Sequence, residues 1–172
     1  LLGALTPLAS FAQSPKKKVK VALLQPGTQA TSQHLPDAVR DEMTKRGYVE
    51  GRDIEYEVVF ANTDATRFDP LAGQLVQGKP DVIFTSSNLS IMAVMRATKT
   101  IPIVMATSSN PVENKFIASL ARPGGTVTGI ATQTENLLPK VVQLAQEIIP
   151  NVKRVGLMVS SANPEIEAYS RR

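Results

Sequence analysis

Short apolar runs alternate with amphipathic helical segments along the whole stretch from Val19 to Ala131, and this alternation admits very few architectures. Val19 to Leu24, VKVALL, is nearly continuous in apolar character, which suits a strand covered on both faces of a parallel sheet. Asp53 to Phe60 alternates, with Glu55 and Glu57 sharing one face, and reads as a strand nearer an edge. Asp81 to Thr85, Ile101 to Met105 and Val127 to Ala131 supply three further strands. The first helix is expected over about Gln33 to Arg46, where Leu35, Val39 and Met43 recur at i, i+4, i+8; Pro36 fits its first turn and Gly47 its C′ stop. Phe68, Leu71, Ala72, Leu75 and Val76 mark a second helix, with Pro70 in its first turn or kinking it and Gly78 closing it. Asn88 to Lys99 forms a third, and Asn114 to Leu120 reads as a short helix before a glycine-hinged reversal at Pro123-Gly124-Gly125. Parallel neighbours require right-handed helical crossovers, so the expected fold is α/β: a doubly wound parallel sheet, flavodoxin-like, with strand order 2-1-3-4-5.

Beyond the fifth strand, a helix over about Asn136 to Ile149 presents Val141, Leu144, Ala145 and Ile148 on one side, and Arg154 to Val159 reads as one more strand. Chain length allows one core of ordinary size at 172 residues. Leu1 stands where an initiator Met would, and the chain stops at Arg172 just after that strand, so it reads as a fragment open at both ends.

The formal charge of +4 does not point to nucleic acid, because five positive charges sit in Lys16-Lys17-Lys18 and Arg171-Arg172. Aromatic residues make up 5% and do not interleave with basic ones, so there is neither a stacking platform nor a basic stripe. Residues 1–12, LLGALTPLASFA, are too short to span a bilayer and resemble the tail of a secretory signal peptide cleaved near Ala12, with Ser10 and Ala12 spaced as in an A-x-A-like site. An N-terminal strand or a disordered tag is the alternative. Residues 13–18 form a basic tail. With no cysteine there is neither a lipid-anchor site nor a disulfide, which favours a soluble periplasmic protein.

In an open parallel sheet ligands bind at the carboxyl ends of the strands. Those ends are rich in Ser, Thr, Asn and Gln: Gln25 to Gln29, Ser86 to Ser90, Thr107 to Asn110 and Thr132 to Thr134. None clusters carboxylates, histidines or cysteines, which suits reversible recognition better than bond making. Ser86, Ser87 and Asn88 precede or open a helix whose free amides suit a carboxylate, although one of them also serves as an ordinary N-cap. Thr107, Ser108, Ser109 and Asn110 form a polar loop before Pro111, which on its own is also a turn initiator. Gln25 and Gln133 complete the candidate ligand-binding set. His34, the single histidine, sits at a helix start and faces solvent, and Met92, Met95 and Met105 read as core filler. No catalytic or metal-binding residue is assigned and no cofactor is implied.

The words IPIV, NPV, SLARPGG and TGI between Ile101 and Ile130, in that order and spacing, resemble the ABC-transporter substrate-binding family that includes tryptophan- and tyrosine-binding members. RGYVEGRDIEYE and KPDVIFTSS upstream, and KVVQLAQEIIPNVKRVGLMVSSANP downstream, extend the likeness over roughly Val19 to Pro164. The resemblance implies a two-lobed periplasmic-binding-protein fold. Residues 19–133 would be the N-terminal ligand-binding lobe, and residues 134–172 a crossover helix and the first strand of a second, truncated lobe. It implies binding of a small solute, an amino acid or other carboxylate, between the lobes, an ABC permease as partner and a monomer when full length. Family members often place Gly-Asp before the proline, where this chain has Ser109-Asn110 and so lacks a negative charge. The resemblance also places Gln133 near the interlobe hinge. A periplasmic ligand-sensing domain of a signalling protein is the alternative. An enzyme on the same sheet would need a Cys, Ser-His or paired-acid constellation that the sequence does not offer.

Overall fold

The structure is a computed structural model that describes residues 17–132, 134–149 and positions 152, 154 and 156. The signal-like segment, Gln133 and most of the expected strand from Arg154 to Val159 lie outside the described residues.

Five parallel strands form one sheet in the order β2-β1-β3-β4-β5: β1 (Val19–Gln25), β2 (Ile54–Phe60), β3 (Val82–Thr85), β4 (Ile103–Ser109) and β5 (Val127–Thr132). This is the expected order, with β2 at an edge as its paired glutamates require. Helices α1 (Gln29–Ser32) and α2 (His34–Lys45) follow β1, α3 (Phe68–Gln77) follows β2, α4 (Asn88–Ala97) follows β3 and α5 (Thr134–Ile148) follows β5.

Leu24, Ile83, Ile103, Met105 and Val127 project from one face onto Phe68, Ala72 and Leu75 of α3 and Ile91 and Val94 of α4. Val21, Leu23 and Ile54 project from the other onto Val39, Met43 and Tyr48. Burial of each such large side chain stabilises by roughly 1.5–3 kcal/mol, which explains why the apolar runs become central strands. Met105 is fully buried and Met92 and Met95 pack against the same core, as expected of filler. On α5, by contrast, Val141, Leu144 and Ile148 are exposed.

Local departures have local causes. The first helix divides because Thr28 and Thr31 form a capping box that starts α1 early, and α2 begins after Gln33. It ends as expected at Gly47, whose φ is +86° and whose neighbour's Tyr48 amide reaches back to the Met43 carbonyl. After α3 the left-handed position is taken by Lys79 (φ 50°) and not by Gly78. The expected helix over Asn114 to Leu120 does not form. Instead, the Phe116 and Ile117 amides both turn back to the Pro111 carbonyl, Lys115 takes φ +58°, and the two apolar side chains bury into the core. Strand four starts two residues late because Thr98 Oγ1 accepts from the Thr100 and Ile101 amides and Pro102 has no N–H to give.

Asp81, just before β3, fastens the start of β1: it accepts from Lys17 Nζ at 2.7 Å and from the Lys20 amide at 2.8 Å. The Lys17 bond first, and then the Lys20 amide, hold its carboxyl below the usual range. A depressed folded-state pKa adds stability that is present above the unfolded value and lost as pH falls through the folded one. The melting temperature should therefore drop as the pH falls below the ordinary carboxylate range, and Asp81→Asn should make that drop shallower; an identical acid profile for the variant would refute the assignment.

Candidate functional site

The β3 exit is built from hydroxyls. Thr85 is buried, and its Oγ1 lies 3.0 Å from the Leu24 carbonyl and 2.5 Å from Ser90 Oγ. Ser90, also buried, accepts from the Ser87 amide, while Ser87 Oγ accepts from the Ser90 amide, both at 3.2 Å. That reciprocal pair is a capping box and makes Ser87 the N-cap of α4. It satisfies two of the four amides that a helix start leaves without an intrahelical partner, and the positive end of the dipole faces the carboxyl edge of the sheet.

Asn88 joins this terminus to the end of β4. Its Nδ2 donates to the Ser109 carbonyl at 3.0 Å and to Ser109 Oγ at 3.2 Å, and its Oδ1 accepts from Ser108 Oγ at 2.9 Å. Asn114 Nδ2 reaches the same Ser109 carbonyl at 3.1 Å, and Thr132 Oγ1 approaches the Ser108 carbonyl at 3.4 Å. The expected loop from Thr107 to Asn110 is therefore mostly strand. β4 shifts register between Met105 and Ser108, then pairs Ser108 with Ala131 and Ser109 with Thr132. Thr107 occupies the bulge, exposed and outside the hydrogen-bond network, and Asn110 turns the chain at φ +45°.

Gln25 is the last residue of β1 and only 1% exposed, where the sequence reading has a loop residue. Its Oε1 accepts from Ser86 Oγ at 3.4 Å, and its Nε2 is buried with no hydrogen-bond partner. A buried donor left without an acceptor among the described residues costs about 1–3 kcal/mol.

Of the candidate residues, Asn88, Ser108 and Ser109 form one network, Ser87 is paired with Ser90 next to it, Gln25 and Ser86 pair beside it, Asn110 flanks it, and Gln133 lies outside the described residues. Thr85 and Asn114 belong to the same cluster without a signal in the sequence, and Ser90, the end of the polar Ser86 to Ser90 stretch, joins them. Thr85 reads only as the apolar strand's last residue, and Asn114 as part of a helix that does not form. Among the described residues no group of His, Cys, Asp and Glu is placed to hold a metal, and no helix is long and apolar enough to cross a membrane. His34 opens α2 and is exposed.

Three comparisons agree with this architecture. The family model described as ABC transporter substrate binding protein matches residues 18–169. A tyrosine-binding protein of Clostridioides difficile is 32% identical over 127 residues, 73% of this chain and 36% of that protein. A conserved domain protein of Vibrio cholerae superposes with a TM-score of 0.75 at 29% identity, covering 90% of this chain and 52% of that one. An ABC domain solved with L-Trp, from Streptococcus pneumonia, shares the fold at TM-score 0.74 and 22% identity, again covering 52% of its length. The chain thus spans between about a third and a half of these relatives. On the match across residues 18–169, this chain belongs to the ABC transporter substrate-binding protein family, a family of extracytoplasmic solute-binding proteins.

Proposed function

We propose that this chain is the N-terminal lobe of the solute-binding component of an ABC importer, and that the α4 terminus receives the carboxylate of an amino acid. The observation that carries the reading is the placement of that terminus: the positive end of a helix dipole, framed by Ser86, Ser87 and the Asn88 network, at the carboxyl edge of a parallel sheet. Neutral hydroxyls and amides around it bind without reacting. The relatives described as binding tyrosine and L-Trp support an amino acid as the ligand class. An inner-membrane permease is the partner such a component would serve, the complete protein acting as a monomer from the periplasm.

The energetics of a single lobe set the test. A dipole interaction of about 0.3–1 kcal/mol and one or two charge-assisted hydrogen bonds of about 1.5–3 kcal/mol each give a Kd on the order of millimolar, with the second wall of the cleft supplying the rest. Calorimetric titration of the 172-residue chain with L-tyrosine should return that weak affinity. Sub-micromolar binding would contradict a site shared between two lobes. Ser87→Ala should lower stability by about 1 kcal/mol through loss of the cap and weaken the titration further; unchanged values of both would remove Ser87 from the site.

A further inference from the structure

We propose that Arg67 is an anion contact at the β1–β2 corner of the same edge, so that the solute carries a second acidic group roughly two strand spacings from the first; this rests on the carboxylate reading of the α4 terminus. The corner is tightly built. The Ala61 amide donates to the Gln25 carbonyl at 2.8 Å, the Asn62 amide to the Gly27 carbonyl at 3.1 Å and the Thr63 amide to the Pro26 carbonyl at 2.8 Å. These bonds hold Asn62 and Thr63 at φ +56° and +62°, a conformation that is a genuine outlier for a β-branched residue and that collects at functional sites. Asp64 then caps the short 3-10 helix over residues 65–67 through the Thr66 amide and hydroxyl, at 2.9 and 2.7 Å, and that helix delivers Arg67.

Arg67 is half-buried, yet its guanidinium makes one bond, from Nη1 to the Ala61 carbonyl at the 3.5 Å limit. The Asp64 carboxylate feels its charge but is committed to the Thr66 amide and hydroxyl, and no carboxylate among the described residues lies within salt-bridge distance of Arg67, whereas the other half-buried arginine, Arg40, has Asp37, Glu50 and the Tyr56 ring. The remaining cations without a carboxylate, such as Lys79 and Lys115, are exposed. Of the five guanidinium N–H groups only one has a protein acceptor among the described residues, the Ala61 carbonyl at long range, so the others are open to an anion. Strand order fixes the spacing. β1 lies between β2 and β3, so the β2 exit stands about 10 Å from the β3 exit where α4 begins, with Gln25 between them.

The test is a set of ¹H–¹⁵N spectra of the whole chain titrated with acetate and, at matched ionic strength, with suberate, an extended dicarboxylate. Suberate should shift the Ser87 and Asn88 amides and the Arg67 Nε–Hε resonance with one common Kd, about tenfold or more below that of acetate. Arg67→Met should raise the suberate Kd to the acetate value and Arg67→Lys should give an intermediate one, while Lys18→Met controls for net charge and should change nothing. If Arg67→Met loses its dispersed spectrum, the wild-type Arg67 resonance and Arg67→Lys carry the test. An Arg67 resonance that stays still while Ser87 shifts, or a suberate Kd within twofold of wild type in the variants, would overturn the proposal. Shifts at Arg67 with both ligands and none at Ser87 or Asn88 would overturn the carboxylate reading, and with it the two-ended solute.

Discussion

Gly129→Ala is expected to destabilise the chain by about 3 kcal/mol or more, lowering the melting temperature by roughly 6–12 °C or preventing folding. Gly129 sits in β5 opposite Met105, at the place where β4 shifts register, and its φ of +137° is a value that L side chains rarely adopt. A Cβ there would stand 2.0 Å from the Met105 carbonyl oxygen and 2.8 Å from its carbon. Both are backbone atoms of a central strand, so neither moves without unpairing β4 from β5 and releasing Ser108 and Ser109 from the site. Gly125→Ala is the control, since its Cβ would meet nothing within 4 Å. Thermal melts of the two variants side by side check the claim; a Gly129→Ala midpoint within 2 °C or so of wild type would contradict it.

Asn88→Ala is expected to cost about 2–3 kcal/mol, because it removes one amide that serves three groups and leaves the Ser109 carbonyl with Asn114 and a long contact from Ser108 Oγ. Asn88→Asp keeps the shape but replaces both donors with an anion facing a carbonyl, and should be at least as damaging. Urea denaturation measures both. Amide exchange at Ser108 and Ser109 should quicken in each variant, because Asn88 ties the end of β4 to α4. A loss confined to below about 0.5 kcal/mol would show that the network is ornamental to the fold.

The fold was legible wherever burial decided it. VKVALL, DVIFT and the Phe68 to Val76 stripe are apolar at the spacing their elements need, and each became the element expected. What decided the site was pairing between residues far apart in sequence. Thr107-Ser108-Ser109 is a polar string that reads as loop; it extends β4 because β5 reaches it after a bulge, and that bulge depends on Gly129. Gln25 reads as the first residue of a loop but closes β1 in the interior, because Ala61 and Ser86 arrive on either side of it. Arg67 carries no local signal at all. It draws notice only through the Asn62 and Thr63 conformations and because no carboxylate among the described residues, Asp64 included, comes within salt-bridge distance of it. The presence of an N-cap at Ser87 or Asn88, by contrast, was legible from a polar pair before an apolar run, and the structure assigns it to Ser87.

The central claim is that an amino acid's carboxylate docks at the start of α4. A crystal structure of the chain soaked in L-tyrosine at millimolar concentration tests it most directly. The account predicts a carboxylate oxygen within about 3 Å of the backbone amides that open α4, with Ser86 and Ser87 lining the contact. Ligand density at the amino-terminal edge of the sheet, or at the carboxyl edge but away from α4, would contradict it.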